Sequence, residues 1–292
     1  MDSSITKSFE YCERLTRAHY ENFPVASRLI PRKKRPYVAA VYAFARTADD
    51  FADEGTLPPF ERLEKLDQWE TKLDSCFKGS AEDPIFIALA ETVARNNIPR
   101  APLAALIEAF RMDVTKRRYT DFPALLHYCV HSANPVGQLV LYLFGAADSR
   151  TIPLSDNICT ALQLANFWQD ISVDKVKGRI YIPLEDFDRF GYTEHDFGRG
   201  IADGRFKDLI KFEVDRTRDL FRAGEPLIRT VGKDLRLELT LTIMGGNAIL
   251  DKIEQAGYDV LTRRPVLTLA DKLTLMARAA VRTTLWKPRF RQ

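Results

Sequence analysis

Apolar residues recur at intervals of three and four along most of the chain, and period-two alternation bounded by turn residues is scarce, so the pattern predicts an all-α protein. A helix is expected to begin after Pro31 or Pro36, run through Val41-Tyr42-Ala43-Phe44-Ala45 and end at Glu54, where Gly55 and then Pro58-Pro59 stop it. Further helices are expected over Pro59–Phe77, Pro84–Asn96, Pro102–Met112, Asp121–Phe144 and Ser155–Lys175, and the second half continues likewise. One stretch departs from the pattern. Gly178-Arg-Ile-Tyr181-Ile-Pro183 is short, β-branched and bounded by Gly and Pro, which reads as a loop or flap directly after a carboxylate-bearing helix. No Ser/Gly-rich or Pro-rich linker and no repeat interrupts the chain, so a single domain over residues 1–292 is expected.

Rotating the helix that ends at Gly55 by about 100° per residue brings Tyr42, Arg46, Asp49 and Asp53 into one narrow stripe, with Asp50 and Glu54 on the adjoining flank. Acids four residues apart repel by roughly 0.2–0.5 kcal/mol per exposed pair, and near a helix C-terminus they also oppose the macrodipole. Compensation can come from Arg46 and neighbouring loops. It can equally come from a divalent cation, since Mg²⁺ prefers carboxylate oxygen and keeps water and phosphate oxygens as its remaining ligands. A second stripe lies in Gln163-Leu-Ala-Asn166-Phe-Trp-Gln-Asp170-Ile-Ser-Val-Asp174, where Asn166, Asp170 and Asp174 follow one another at every fourth residue and Gln163 stands one turn earlier. Leu164, Ala165, Phe167, Trp168 and Ile171 surround it, so this helix is expected to be buried, and buried acids need partners, protons or metals. Together the stripes predict ionisation of a phosphate-type leaving group whose negative charge Mg²⁺ and arginine neutralise.

Composition narrows the partners. The chain has 292 residues, 46% hydrophobic and 28% charged, which is ample material for a core. Its formal charge of +3 is too small for nucleic acid, while small anionic partners remain. Cys12, Cys76, Cys129 and Cys159 are scattered without a CxxC pair, which signals neither zinc nor disulfides and fits the reducing cytoplasm. His127, His131 and His195 have no metal-ligand spacing. The N-terminus lacks the basic flank and apolar stretch of a signal peptide, and no run of about 18 apolar residues occurs. From Lys272 to Arg291, Leu, Val, Trp286 and Phe290 mix with Lys and Arg, the character either of a solvated final helix or of a basic amphipathic segment in peripheral contact with a membrane. The pattern specifies no oligomeric state.

Asp49-Asp-Phe-Ala-Asp53-Glu54 and Asn166-Phe-Trp-Gln-Asp170-Ile-Ser-Val-Asp174 resemble the two Asp-rich motifs of the squalene/phytoene synthase family. His19 with Asn22-Phe23, Tyr42 with Arg46, Tyr128-Cys129 through Val136-Gly137, Arg179-Ile-Tyr181-Ile-Pro183 and Gly257-Tyr258-Asp259-Val260 are similar to further elements of that family, so the likeness runs from about Ser8 to Lys272. It implies a single-domain isoprenoid synthase fold, the class I terpenoid synthase helical bundle with a central cavity. It also implies Mg²⁺ and a prenyl diphosphate substrate, either farnesyl diphosphate or its condensation product presqualene diphosphate. Glu21 through Ser27, Ala48 through Gly55 and Gln163 through Asp170 resemble most the hydroxysqualene-forming branch, which acts on presqualene diphosphate and water. One departure stands out. Ser132-Ala133-Asn134-Pro135-Val136-Gly137 replaces the common Ala-Gly and small residue before Val-Gly, placing a polar Asn and a helix-bending Pro at or beside the expected cavity.

Carried over position by position, the resemblance implies Mg²⁺ ligation by Asp49, Asp50, Asp53, Asp170 and Asp174 with Asn166 beside them. It implies diphosphate binding by Arg46 and Arg179, and substrate contacts from His19, Asn22, Phe23, Gln163 and Asn166. Tyr42, Tyr128 and Tyr181 are expected either to orient the diphosphate and stabilise a carbocation, or to be packed core residues with satisfied hydroxyls. Asn134 is expected either to help hold the water that quenches the cation or to adjust local packing. Two other readings stay open: a different head-to-head prenyl synthase making presqualene diphosphate, squalene, dehydrosqualene or phytoene, and a non-catalytic family member acting in assembly or lipid binding.

Overall fold

In a computed structural model, residues 3–18, 30–53 and 55–284 are described, the side chains of 282–284 apart. His19, Asn22, Phe23, Glu54, Trp286 and Phe290 lie outside the described residues. Among the described residues there are helices and no strand, as the apolar spacing predicts. The chain, expected to form one domain, clusters by contact into two compact units: residues 1–116 with 128–152, and residues 117–127 with 153–292.

The first unit contains α1 (Ser3–Ala18), α2 (Arg35–Asp53), α3 (Pro59–Phe77), α4 (Pro84–Asn96) and α5 (Arg100–Thr115). α2 is its centre, packing on α1, α3, α4 and α5. It can do so because the face turned inward is small: Ala39, Ala40, Ala43, Ala48 and Ala52 are buried with Phe44, and alanine both favours helix and lets neighbours approach closely. Phe44 and Phe51 pack with Trp69 of α3 and Phe86 of α4, the Trp69–Phe86 centroids lying 4.6 Å apart. Tyr42, Arg46, Asp49 and Asp53 are thereby left off the alanine face. Gly55 adopts φ +77° just past the end of α2, the left-handed stop expected of it.

Two expected helices are each divided in two. The stretch Asp121–Phe144 forms α6 (Phe122–Ser132) and α7 (Asn134–Leu143), because Pro135 falls in the first turn of a new helix and Ala133 becomes the junction. Pro135 therefore starts a helix and bends none. The stretch Ser155–Lys175 forms α8 (Thr151–Gln169) and α9 (Ile171–Val176), interrupted at Asp170. Asp-Ile-Ser-Val is a run of weak helix formers, and Asp170 leaves helical geometry at φ −99°, ψ 11°. α5 also begins earlier and ends later than the expected Pro102–Met112.

The second unit holds α10 (Leu184–Arg189), α11 (Glu194–Arg199), α12 (Gly204–Gly224), α13 (Leu227–Thr230), α14 (Lys233–Gln255) and α15 (Leu269–Thr284) together with α8 and α9 from Pro153 onward. Two glycines set its helix spacing. A Cβ on Gly224 of α12 would come within 2.8 Å of the Leu154 carbonyl of α8, and one on Gly246 of α14 within 2.3 Å of the Phe221 ring. Glu238, half-buried on α14, is pushed up to about 7 by burial. Its folded carboxyl keeps the proton that an unfolded glutamate releases near 4.5, so folding takes up a proton between these values. The contribution is complete below about pH 4.5 and is lost as pH rises through 7. Glu238→Gln is expected to remove that part of the pH slope and to raise the unfolding free energy near pH 8 by about 1–3 kcal/mol, read from urea unfolding at mildly acid and mildly alkaline pH.

Candidate active site

In the first unit the acids at the end of α2 are held by their own helix. Arg46 reaches Asp49 at 3.1 Å and Asp50 at 2.6 Å, the internal compensation that acids at a helix C-terminus require. Arg46 is largely sheltered, with its side chain 20% exposed, while Asp53 is open to solvent. Burial pushes the Tyr42 hydroxyl upward; Arg46 opposes this, and Asp49 and Asp50 add to it. The helix end is fixed from outside by a residue the sequence pattern did not single out. Arg62 of α3 donates to the carbonyls of Ala52, Leu57 and Gly55, satisfying backbone acceptors that a helix terminus leaves open. A cation just beyond a helix stop was the available signal.

Tyr128 is buried, and its hydroxyl donates to Asp113 at 2.8 Å, which makes it a tyrosine with a satisfied hydroxyl whatever else it does. Asn134 is only 5% exposed.

In the second unit α8 is held at its C-terminal end by polar contacts to other elements. Trp168 is fully buried and donates its indole N–H to Thr217 Oγ1 at 2.9 Å, and Gln169 donates to the Pro265 carbonyl at 2.7 Å. Asn166 is exposed and Gln163 half-buried. Despite the break at Asp170, the helical hydrogen bonds Asp170 N–H to Asn166 O (2.9 Å) and Asp174 N–H to Asp170 O (2.8 Å) persist, so the three side chains keep one-turn spacing. Arg264 Nε stands 2.5 Å from Asp170 Oδ1. Asp174 is pushed up to about 6, first by burial and then by the neighbouring Asp170, against the pull of Lys177, Arg179 and Arg264. Two carboxylates that repel one another in a partly buried setting are a donor set that fits a hard divalent cation. Among the described residues no three Asp, Glu, His or Cys side chains gather as a preformed metal cage.

The segment 178–183 is a loop, and it is pinned. Ile180 N–H donates to Arg117 O, Leu184 N–H to Tyr119 O and Glu185 N–H to Thr120 O, while Arg118 holds the Gly178 carbonyl at 2.7 Å and Ile180 and Ile182 are buried. These contacts tie the segment at both ends to residues 117–120. It sets Arg179 behind Asp174, whose carbonyl accepts the Arg179 N–H at 2.9 Å, and lays the Tyr181 ring on Phe167 with centroids 3.7 Å apart and planes 8° from parallel. Tyr119 is stacked on Tyr181 as well, at 5.8 Å. All four cysteines are thiols, and burial pushes Cys12 and Cys129 up to about 12 and Cys76 to about 11, which keeps them unreactive.

The helical architecture is that of the class I terpenoid synthases. Within it, this chain belongs to the squalene/phytoene synthase family, which matches residues 16–271. A 15-cis-phytoene synthase of Synechococcus elongatus is 32% identical over 97% of this chain and 96% of its own length. A phytoene synthase of Mycobacterium tuberculosis is 35% identical over 77% and 75% of the two chains. The crystal structure of squalene synthase HpnC from Alicyclobacillus acidocaldarius superposes with a TM-score of 0.85 at 43% identity, covering 89% of this chain and 97% of that one. That of a dehydrosqualene synthase superposes equally, at 0.85, but at 23% identity, a likeness of fold alone. The family comprises head-to-head prenyl synthases that act on prenyl diphosphates and generally use divalent metal ions.

Proposed function

We propose that this protein converts presqualene diphosphate and water into hydroxysqualene and diphosphate, a lyase reaction of squalene and hopanoid synthesis, with Mg²⁺ as cofactor. The observation that carries the reading is the completeness of both acid sets, Asp49, Asp50, Asp53 and Asp170, Asp174 with Asn166, within the span 16–271 that the family matches. A non-catalytic relative would have no need to keep carboxylates that repel one another. The family match also spans both compact units, which supports the reading of the chain as one functional domain. The choice within the family rests on Glu21 through Ser27, Ala48 through Gly55 and Gln163 through Asp170, which resemble the hydroxysqualene-forming branch, and it draws support from the 43% identity to squalene synthase HpnC. Mg²⁺, when bound, would neutralise the diphosphate and make it a leaving group.

The chain's own residues divide the remaining work. Arg46 and Arg179 are proposed to hold diphosphate oxygens through their forked guanidinium donors. Gln163 and Asn166, with His19, Asn22 and Phe23, are proposed to contact the substrate. Tyr42, Tyr128 and Tyr181 are proposed to orient the diphosphate or to stabilise a developing carbocation through ring or hydroxyl, an attraction worth about 0.5–2 kcal/mol per well-placed ring. Asn134 is proposed to hold the water that ends the reaction. Asn134→Ala should then shift product from alcohol toward hydrocarbon, measured by gas chromatography; an unchanged ratio assigns Asn134 to packing. A cytoplasmic location is proposed on the scattered cysteines, which form no CxxC pair.

A second reading is condensation of two prenyl diphosphates, favoured by the 32% identity to 15-cis-phytoene synthase over nearly the whole chain. Incubation with Mg²⁺ and either farnesyl or presqualene diphosphate, without NADPH, separates the two. Alcohol formed from presqualene diphosphate alone supports the first reading, and consumption of farnesyl diphosphate supports the second.

A further inference from the structure

Charge is unevenly distributed along this chain. Residues 263–292 contain eight Lys and Arg against one acid, Asp271, a net +7 in a protein whose total is +3, so the preceding 262 residues carry −4. The described part of this segment is α15. Its inner side is fixed to the second unit by Ala279, which is fully buried, and by Asp271, which pairs with Lys252 of α14 at 3.1 Å. Elsewhere on the helix Leu269, Leu273 and Met276, one helical stripe by their spacing, are 74%, 58% and 51% exposed, and Val266 just upstream is 51% exposed. Exposed Lys272 borders this stripe. No helix among the described residues is long and apolar enough to cross a membrane.

We propose that the outer face of α15 docks the protein, in the plane of the surface, onto a bilayer of anionic phospholipid. An apolar stripe bordered by cations is the arrangement that settles at a headgroup boundary, with large side chains entering the acyl region and Lys and Arg meeting lipid phosphate. The charge distribution selects this occupant. A second copy would bring the same excess of cations, exposed Arg263, Lys272 and Arg278 among the described residues, and be repelled, whereas anionic lipid attracts a segment whose sequence carries a net +7. The inference is independent of which prenyl product is made.

Co-sedimentation of the full chain with sucrose-loaded vesicles tests it, using phosphatidylglycerol mixed into phosphatidylcholine against phosphatidylcholine alone. The wild type should bind the anionic vesicles at least about tenfold better, and lose that preference in high salt. The double variant Leu273→Glu with Met276→Glu should lose at least about tenfold in binding, and Lys272→Glu should lose less. An unchanged thermal midpoint would show that the variants are folded, as expected of positions more than half exposed. Wild type remaining in the supernatant with anionic vesicles, or a double variant that binds as well as wild type, overturns the proposal. A dimer in light scattering that the double variant dissolves, without vesicle binding by either, would give this face to a second copy and also overturn it.

Discussion

Replacing Asp170 or Asp174 by Asn should lower the rate of diphosphate release by about 10²–10³-fold while leaving the fold intact, because a carboxylate lost from a cation-binding set removes several kcal/mol of charge stabilisation at about 1.4 kcal/mol per factor of ten. The fold should tolerate the change. Burial first, and then repulsion from Asp170, pushes Asp174 up to about 6, so an uncharged amide at either position is, if anything, easier to bury. Steady-state release of diphosphate with Mg²⁺ in excess, paired with a thermal midpoint no lower than wild type, is the measurement. Wild-type activity in either variant would remove that position from the proposed ligand set. Arg264→Ala gives a useful contrast. It frees Asp170 from its ion pair while leaving every acid in place, so metal affinity should change more than the amount of folded protein.

The second large effect concerns stability. Arg216 of α12 is the positive centre of a buried group. It contacts Glu213, which is fully buried, at 2.6 Å and Asp186 at 2.8 Å, and lies 3.7 Å over the ring of Phe122. Arg216→Ala would leave two buried carboxylates without their cation, a change that costs about 3–5 kcal/mol. For a chain of this size that lowers the thermal midpoint by roughly 10 °C. Burial pushes the Glu213 carboxyl upward and Arg216 pulls it down, so in the variant, without that pull, it takes up a proton more readily. The loss should therefore shrink toward acid pH. Replacing Arg216, Glu213 and Asp186 together by apolar residues of similar size should restore most of the stability, since the penalty belongs to the uncompensated charge. Neither Glu213 nor Arg216 belongs to the proposed catalytic set, and activity per folded molecule should be unchanged.

Much of this was readable from periodicity. Pro59–Phe77 and Pro84–Asn96 match the observed helices to the residue, because proline at the first turn and a change of composition at the end mark both boundaries locally. The stop at Gly55 has the same character. The break at Asp170 was harder to see: a strict four-residue repeat of Asn and Asp reads as continuous helix, while the weak propensity of Asp-Ile-Ser-Val acts against it over only a few residues. Asn134-Pro135 was legible as a disturbance of helix but not as a helix start, since Pro fits an N-terminal turn as readily as a bend.

The sequence alone determined the helical class, the two stripes of acid and amide side chains and the family, because helix period and short motifs depend on residues a few positions apart. Tertiary structure alone decided what surrounds those side chains. Arg62 closes the end of α2, Arg264 comes from 94 residues downstream to meet Asp170, and Phe167 fixes the ring of Tyr181. Such pairings follow from how helices pack, and the side chain that meets a given carboxylate across a packed interface leaves no periodic trace in the chain that supplies it.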